Sequence, residues 1–168
     1  ELKKIIGLQI LLTLCLFSNV QAGENYLQQL NGKKLKWEFF SDGVMGGKSK
    51  GQAEFMDSSP PFIRISGNVT TANNGGFIQI RAKVSEFDSE MKGLSVRVRG
   101  NGEKYYIFLR TSGTILPWQY YSAEFLTSSQ WENININLED FERSSSWMKK
   151  KVEGKVIKSI GIVAYGRD

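Results

Sequence analysis

The chain has no histidine and a single cysteine, Cys15, among its 168 residues. Histidine is the commonest general base and zinc ligand, so its absence excludes Ser-His and Cys-His nucleophile pairs and the usual zinc sites. One cysteine excludes a disulfide framework. Any catalysis would have to rest on carboxylates, lysine or tyrosine. We therefore expect no metal, no cofactor and no enzymatic activity.

Long apolar runs are also scarce, and the longest lies near the amino terminus. Lys3 and Lys4 precede an almost wholly apolar stretch over residues 5–16, and Val20-Gln21-Ala22 offers small residues to a signal peptidase. This order is typical of a secretory signal, and the run is shorter than the roughly 20 residues of a membrane-spanning helix. We predict a signal peptide over residues 1–22, a mature domain over residues 23–168, and a secreted or periplasmic location. The alternative is an uncleaved leader, which would be the only link to a membrane.

The rest of the chain consists of short β-branched and aromatic runs separated by turn signals. The turn signals include Ser41-Asp42-Gly43, Gly100-Asn101-Gly102 and Ser112-Gly113. This spacing predicts an all-β sandwich or jelly roll, with one helical turn at most over residues 138–143. The predicted strands cover residues 35–40, 61–66, 76–84, 94–99, 104–110, 118–125, 131–138 and 155–164.

Alternation within these strands predicts a sheet face that is rich in aromatic and arginine side chains. If Ile107 and Leu109 point to the core, the aromatic and arginine side chains that alternate with such aliphatic residues lie together on the opposite face. Such a platform suits sugar stacking or a protein hot spot, unless residues 144–147 cover it and make it a second core. The residues predicted on this face are Tyr106, Phe108, Arg110, Trp118, Tyr120, Arg97 and Arg99.

A glycine-rich segment, residues 42–49, ends in Gly-Lys-Ser and invites comparison with a phosphate-binding loop. That motif requires glycine where Asp42 stands, and it must open a helix, whereas residues 51–55 have the pattern of a strand. We therefore predict no nucleotide binding and a structural crossover in which glycines allow close backbone packing. The residues given this structural role are Gly43, Gly46, Gly47, Ser49, Gly75 and Gly76.

Several motifs together resemble the complex I intermediate-associated protein 30 family. They are Trp37, residues 41–49, Asn73-Asn74-Gly75-Gly76-Phe77, Gly93-Leu94, residues 97–102 with Tyr105, Trp118-Gln119, Phe125, Trp131 and Asp140-Phe141. The resemblance covers nearly all of the predicted mature domain. It implies a galactose-binding-domain-like jelly roll related to carbohydrate-binding modules, and a family in which mitochondrial members act as non-catalytic assembly chaperones for respiratory complex I. The family pattern also implies one further strand after Asp168.

We predict an exported, non-catalytic module that binds a protein partner or assists assembly. The alternative is recognition of a glycan, with Trp118, Tyr120 and Tyr106 stacking on the sugar. A hydrolase would need paired carboxylates, for which no spacing in the sequence gives support. Arginine beside aromatics could also bind nucleic acid, but export makes that function unsuitable, and none is predicted. The candidate binding residues are Asp42, Asn74, Arg97, Arg99, Tyr106, Phe108, Arg110, Trp118, Gln119 and Tyr120.

Overall fold

The computed structural model describes the backbone of residues 3–19, 25–31, 35–84 and 91–166, and the side chains of residues 7–10, 35–84 and 91–166. Within these ranges the chain contains strands and short 3-10 turns and no α-helix, and so no helix that could span a membrane. The strands are β1 (Lys3–Asn19), β2 (Asn25–Asn31), β3 (Trp37–Ser41), β4 (Lys50–Met56), β5 (Phe62–Thr70), β6 (Phe77–Lys83), β7 (Met91–Arg99), β8 (Lys104–Thr111), β9 (Tyr121–Leu126), β10 (Glu132–Asn137), β11 (Glu142–Arg143) and β12 (Ile157–Tyr165).

These strands form two antiparallel sheets. The first sheet has the order β10-β7-β1-β5-β4, with β2 paired to β1, and the second has the order β11-β9-β8-β12-β6-β3. The connection from β7 to β8 therefore passes from one sheet to the other. Successive side chains of a strand point to opposite sides of its sheet, so each strand contributes alternate residues to the core. The all-β jelly-roll sandwich predicted from the sequence is confirmed.

The core is built from aliphatic side chains at every second position of the inner strands. Ile78 and Ile80 of β6, Ile107 and Leu109 of β8, and Ile160 of β12 are all at most 1% exposed. They face Leu94, Val96 and Val98 of the first sheet within one cluster. Full burial of each such side chain contributes about 1.5–3 kcal/mol to stability. The aliphatic face of each strand is therefore held in the core, and the opposite face is left on the outside of the sandwich.

Strand β1 occupies the interior of the first sheet. It pairs with β5 over Lys3–Leu11 and with β7 over Gln9–Ser18. Leu8 and Ile10, whose side chains are described, are buried. This is the segment that the sequence predicts to be a signal peptide. The predicted cleavage site, residues 20–22, lies outside the described residues, so export and cleavage stay predictions.

Most predicted strands correspond to observed ones, but the predicted strand over residues 118–125 begins late, at Tyr121. Residues 115–119 instead form a turn in which the Gln119 amide N–H donates to the Leu116 carbonyl oxygen at 3.0 Å. The Gln119 side-chain oxygen accepts from the backbone N–H groups of Ile115 and Leu116, each at 3.0 Å. These local hydrogen bonds hold residues 115–119 in the turn, and pairing with β8 begins only at Tyr121. The predicted helical turn is a 3-10 turn, Leu138–Asp140, followed by β11.

Candidate ligand-binding cleft

A cleft of about 680 Å³ opens on the outer face of the second sheet. Strands β6, β12 and β8 provide its floor, since the residues opposite their core positions point to this side. Its walls come from β3 and from three loops, around residues 44–45, 74–75 and 117–120. The lining residues are Phe40, Val44, Met45, Asn74, Gly75, Phe77, Gln79, Arg81, Phe108, Arg110, Pro117, Trp118, Tyr120, Ser144, Ser159, Gly161 and Tyr165.

The centre of the floor is formed by the small residues of β12. Gly161 pairs in register with Arg81 of β6 on one side and with Phe108 of β8 on the other. Ser159, two residues away, pairs with Arg110 of β8. A Cβ atom at Gly161 would lie 3.0 Å from the side-chain oxygen of Gln79. The absence of a side chain there keeps the floor low between flanking side chains that are much larger.

Aromatic rings form one wall of the cleft. The Phe108 and Tyr120 rings are stacked, with centroids 4.0 Å apart and planes 12° from parallel. Tyr165 meets the Phe108 ring edge-on at 6.2 Å, and the Tyr106 ring lies 6.3 Å from that of Phe108. Such contacts fix the rings in place along one side of the cleft, since Phe108, Tyr120 and Tyr165 are all lining residues.

Two arginines hold positive charge inside the same cleft. The Arg81 guanidinium carbon lies 4.5 Å from the centroid of the Phe40 ring, in cation-π geometry. The Arg110 Nη2 donates to the backbone carbonyl oxygens of Leu116, at 3.0 Å, and Thr114, at 3.3 Å. Partial burial of Arg110, and then the charge of Arg81, lower the pKa of Arg110 below its ordinary value. The two charges are therefore close enough to repel each other.

The rim of the cleft carries exposed apolar side chains. Trp118 is 63% exposed, and Val44 and Met45, on a 3-10 turn, are 74% and 64% exposed. Ser144 joins the 117–120 loop to the rim, because its hydroxyl donates to the Trp118 carbonyl oxygen at 2.9 Å and accepts from the Tyr120 N–H at 3.0 Å. Trp147 points away from the fold and is 92% exposed. Residues 144–147 therefore do not cover the face, and it is not a second core.

Asp42 does not face the cleft, and the prediction that its carboxylate contacts a ligand is wrong. The side chain is fully buried. Its Oδ1 accepts from the Ser49 N–H at 2.9 Å, and its Oδ2 accepts from the Gly76 N–H at 2.6 Å and from the Ser49 hydroxyl. A Cβ at Gly47 or Gly75 would lie 2.3 Å from atoms of this carboxyl group. The glycine-rich segments thus pack around a buried carboxylate that joins them.

Most of the other predicted binding residues lie at the cleft. Phe108, Arg110, Trp118, Tyr120 and Asn74 line the cleft, and Tyr106 lies on the same face. Gln119 is used to hold the 115–119 turn.

Arg97 and Arg99 lie on β7 of the first sheet, so the prediction that they share a face with Phe108 and Arg110 is wrong. Arg99 instead donates through Nε to the Gln9 side-chain oxygen at 3.0 Å and lies over the Trp131 ring. The alternation of residues along a strand correctly predicts which side of its sheet each side chain faces. It carries no information about which of the two sheets the strand joins.

Sequence analysis missed several cleft residues, notably Phe40, Gln79, Arg81, Ser159 and Tyr165. The alternation of Gln79 and Arg81 with core isoleucines was a usable signal for their outward direction. It could not show that β12 lies between β6 and β8, which is what brings Arg81 and Arg110 into one cleft.

Residues 26–168 match the sequence model of the family described as complex I intermediate-associated protein 30. The chain belongs to this family. The match spans nearly all of the predicted mature domain, including the buried Asp42 with its glycine-rich loops and the cleft. No curated protein matches the chain in sequence.

Two solved structures have the same fold as this family member. One is a family 11 carbohydrate-binding module from Clostridium thermocellum in complex with a β-1,3-1,4-mixed-linked tetrasaccharide. It has a TM-score of 0.62, 15% identity, and coverage of 92% of this chain and 88% of the other. The second is the family 11 module of the cellulosomal cellulase Lic26A-Cel5E of the same organism, with a TM-score of 0.61, 13% identity, and coverage of 90% and 85%. Both of these proteins are carbohydrate-binding modules, and the likeness shows that this chain has the same fold.

Proposed function

We propose that this protein is a non-catalytic binding module that holds an extended saccharide chain in the cleft of the second sheet. The observation that carries the proposal is the combination of a stacked aromatic wall with polar floor residues in one open cleft. Its volume of about 680 Å³ is within the roughly 300–1,000 Å³ typical of ligand sites. Apolar ring faces can cover the C–H faces of sugars, while the polar groups bond to hydroxyls.

The polar groups of the cleft suit hydroxyl recognition. Gln79, Asn74 and Ser159 carry both donors and acceptors, and the arginines add N–H donors. Among the described lining residues there is no carboxylate and no histidine. A sugar held here would therefore meet no pair of acids of the kind that hydrolyses glycosidic bonds, which supports binding without cleavage. The carbohydrate-binding modules of the same fold, one of them with a bound tetrasaccharide, support the same conclusion.

Trp118→Ala tests this proposal, with Trp147→Ala as a matched control. Trp118 lines the cleft and is 63% exposed, whereas Trp147 is 92% exposed and is not among the lining residues. If a bound sugar covers about 80 Å² of the Trp118 ring, the loss is about 2 kcal/mol, or roughly thirtyfold in Kd. Isothermal titration against mixed-linked β-glucan and a panel of other polysaccharides measures this change. The melting temperature should stay close to that of the wild type in both variants.

Two results would contradict the saccharide proposal. One is the absence of binding to every polysaccharide of the panel by the wild-type protein. The other is equal loss of affinity in Trp118→Ala and Trp147→Ala, which would show that contact with sugar is not localised in the cleft. A melting temperature lowered by more than about 10 °C in Trp118→Ala would mean that the ring is a core residue, since burial of a core aromatic contributes about 3–5 kcal/mol.

The apolar rim favours a second function, binding of a protein partner in an assembly role. Val44, Met45, Ile115 and Trp118 are exposed apolar side chains, and such clusters are typical of protein interfaces. The family's description as an intermediate-associated protein supports the same reading. Val44→Ser with Met45→Ser should weaken capture of such a partner, and saccharide affinity should fall as well because both side chains line the cleft. Ile115→Ser, at an exposed position that is not among the lining residues, should weaken capture and leave saccharide affinity nearly unchanged. Equal capture by the double variant in cross-linking pull-downs from the host would refute this second function.

A further inference from the structure

The cleft contains two positive charges that no acidic side chain among the described residues neutralises. In the part of the chain that the structure describes, neither Arg81 nor Arg110 forms an ion pair with a carboxylate. Both guanidinium groups instead contact neutral groups, the Phe40 ring and two backbone carbonyl oxygens. Neutral partners hold the charges in position but leave them uncompensated.

Carboxylates on the same side of the sheet lie near the cleft but do not enter it. Glu38 pairs in register with Arg81 across β3 and β6, but its side chain is exposed and is not within ion-pair distance of that arginine. Glu124 of β9 bonds Lys104 at 3.1 Å. Lys83 pairs with Ser159 and extends the positive charge along β6. The balance of charge over the floor is therefore positive.

The two arginines flank a low point of the floor from opposite sides of β12. Arg81 lies opposite Gly161, and Arg110 lies opposite Ser159. Strand spacing and rise place their Cα atoms about 12 Å apart, within the combined reach of two arginine side chains and a small group between them. Each guanidinium has five N–H donors, so those not used by Phe40 or the carbonyls remain for a ligand.

Two like charges in a partly desolvated cleft repel each other, and an anion bound between them removes that repulsion. The planar fork of arginine is suited to a carboxylate, which it can bind through two parallel N–H bonds. We propose that the cleft selects saccharide chains that carry carboxylate groups, such as uronic acid residues, and that Arg81 and Arg110 bind the acidic group. This inference rests on the proposed saccharide function and adds the chemical class of the ligand.

The experiment uses the full chain and matched pairs of ligands. Hexasaccharides of galacturonic, glucuronic and mannuronic acid are titrated beside the same chains after methyl esterification, which removes the charge and retains the sugar. We expect at least one acidic chain to bind tenfold or more tightly than its ester. Its affinity should fall as salt is raised from 50 to 500 mM, because salt screens exposed charges.

Arg81→Gln and Arg110→Gln should each reduce affinity for that acidic chain at least tenfold and reduce affinity for the ester by a clearly smaller factor, because the ester loses only hydrogen bonds to the arginine N–H groups. Arg97→Gln is the matched control, since it removes the same charge from an exposed position on the other sheet. It should change neither affinity. Arg110→Lys keeps the charge but loses the bidentate fork, so an intermediate loss is expected.

Equal affinity for acids and esters would overturn the inference, as would a loss in Arg97→Gln as large as that in the cleft variants. Binding of neutral β-glucan alone, lost in Trp118→Ala, would overturn it while leaving the saccharide function standing. If no saccharide binds and an acidic peptide binds through Arg81 and Arg110, both the saccharide function and this inference fail. The ligand pairs test the wild-type protein directly, so a variant that does not fold still leaves the proposal open to refutation.

Discussion

Replacing Asp42 by asparagine should destabilise the protein far more than such a small change normally does. The carboxylate is fully buried and accepts from the N–H groups of Ser49 and Gly76 and from the Ser49 hydroxyl. The Phe77 N–H, 3.4 Å from Oδ2, adds a weaker contact. Asparagine has the same shape but only one acceptor oxygen, so its NH₂ group must face at least one backbone donor.

The magnitude follows from that conflict. A buried donor left without an acceptor costs about 1–3 kcal/mol. The hydrogen bonds that remain are also weaker, because their acceptor is no longer charged, and this costs about 1 kcal/mol more. We expect a loss of about 3 kcal/mol in the free energy of unfolding. For a chain of this size each kcal/mol lowers the melting temperature by about 2–4 °C, so the expected fall is about 10 °C.

The assay is urea unfolding followed by tryptophan fluorescence, with thermal melting as a second measurement. Asp57→Asn provides the matched control, because Asp57 is exposed and the same substitution there should stay within about 0.5 kcal/mol. A loss of less than 1 kcal/mol in Asp42→Asn would refute the reasoning. It would mean that the buried hydrogen bonds of Asp42 add little to stability.

Three further predictions concern other parts of the molecule. Gly75→Ala places a Cβ 2.3 Å from the Asp42 carboxylate and should cost more than 2 kcal/mol, whereas Gly113→Ala meets only an ordinary contact at 3.7 Å and should be nearly neutral in urea unfolding. Burial raises the pKa of Tyr105 above its ordinary value of 10.0. The unfolded state therefore loses this proton first, and stability should fall as pH rises above about 10; the fall should be smaller in Tyr105→Phe, as urea titrations at pH 9 and 11 would test. Expression in a bacterial host should yield a periplasmic protein whose mass, measured by mass spectrometry, is that of a chain beginning at Gly23. Retention of residues 1–22 would contradict the predicted leader.

The sequence allowed the core to be predicted well because burial in a sandwich follows a period of two. Ile78, Ile80, Ile107 and Leu109 alternate with polar or aromatic neighbours, and the structure buries each of them. The strand over residues 118–125 was predicted too long because apolar residues in an exposed turn look the same as those of a strand. Trp118 lies in such a turn, held by the side chain of Gln119.

The cleft could be predicted only in part, since it depends on contacts between distant segments. Arg97 follows the same alternation as Arg110, and only the crossing from β7 to β8 places them in different sheets. The role of Asp42 depends on Gly76, 34 residues away. No local pattern records that contact, although the glycines around both positions pointed correctly to close backbone packing.

The buried Asp42 carboxylate also influences how much entropy is lost when a ligand binds. Asp42 begins the 3-10 turn that presents Val44 and Met45 at the cleft rim, and its carboxylate fixes that turn to Ser49 and Gly76. Ordering a mobile side chain or loop on binding costs about 0.5–1.5 kcal/mol for each group that is immobilised. Here the backbone of the rim is already ordered by internal hydrogen bonds. A ligand bound in the cleft would therefore meet a preformed wall at this turn, and less conformational entropy would be lost there on association.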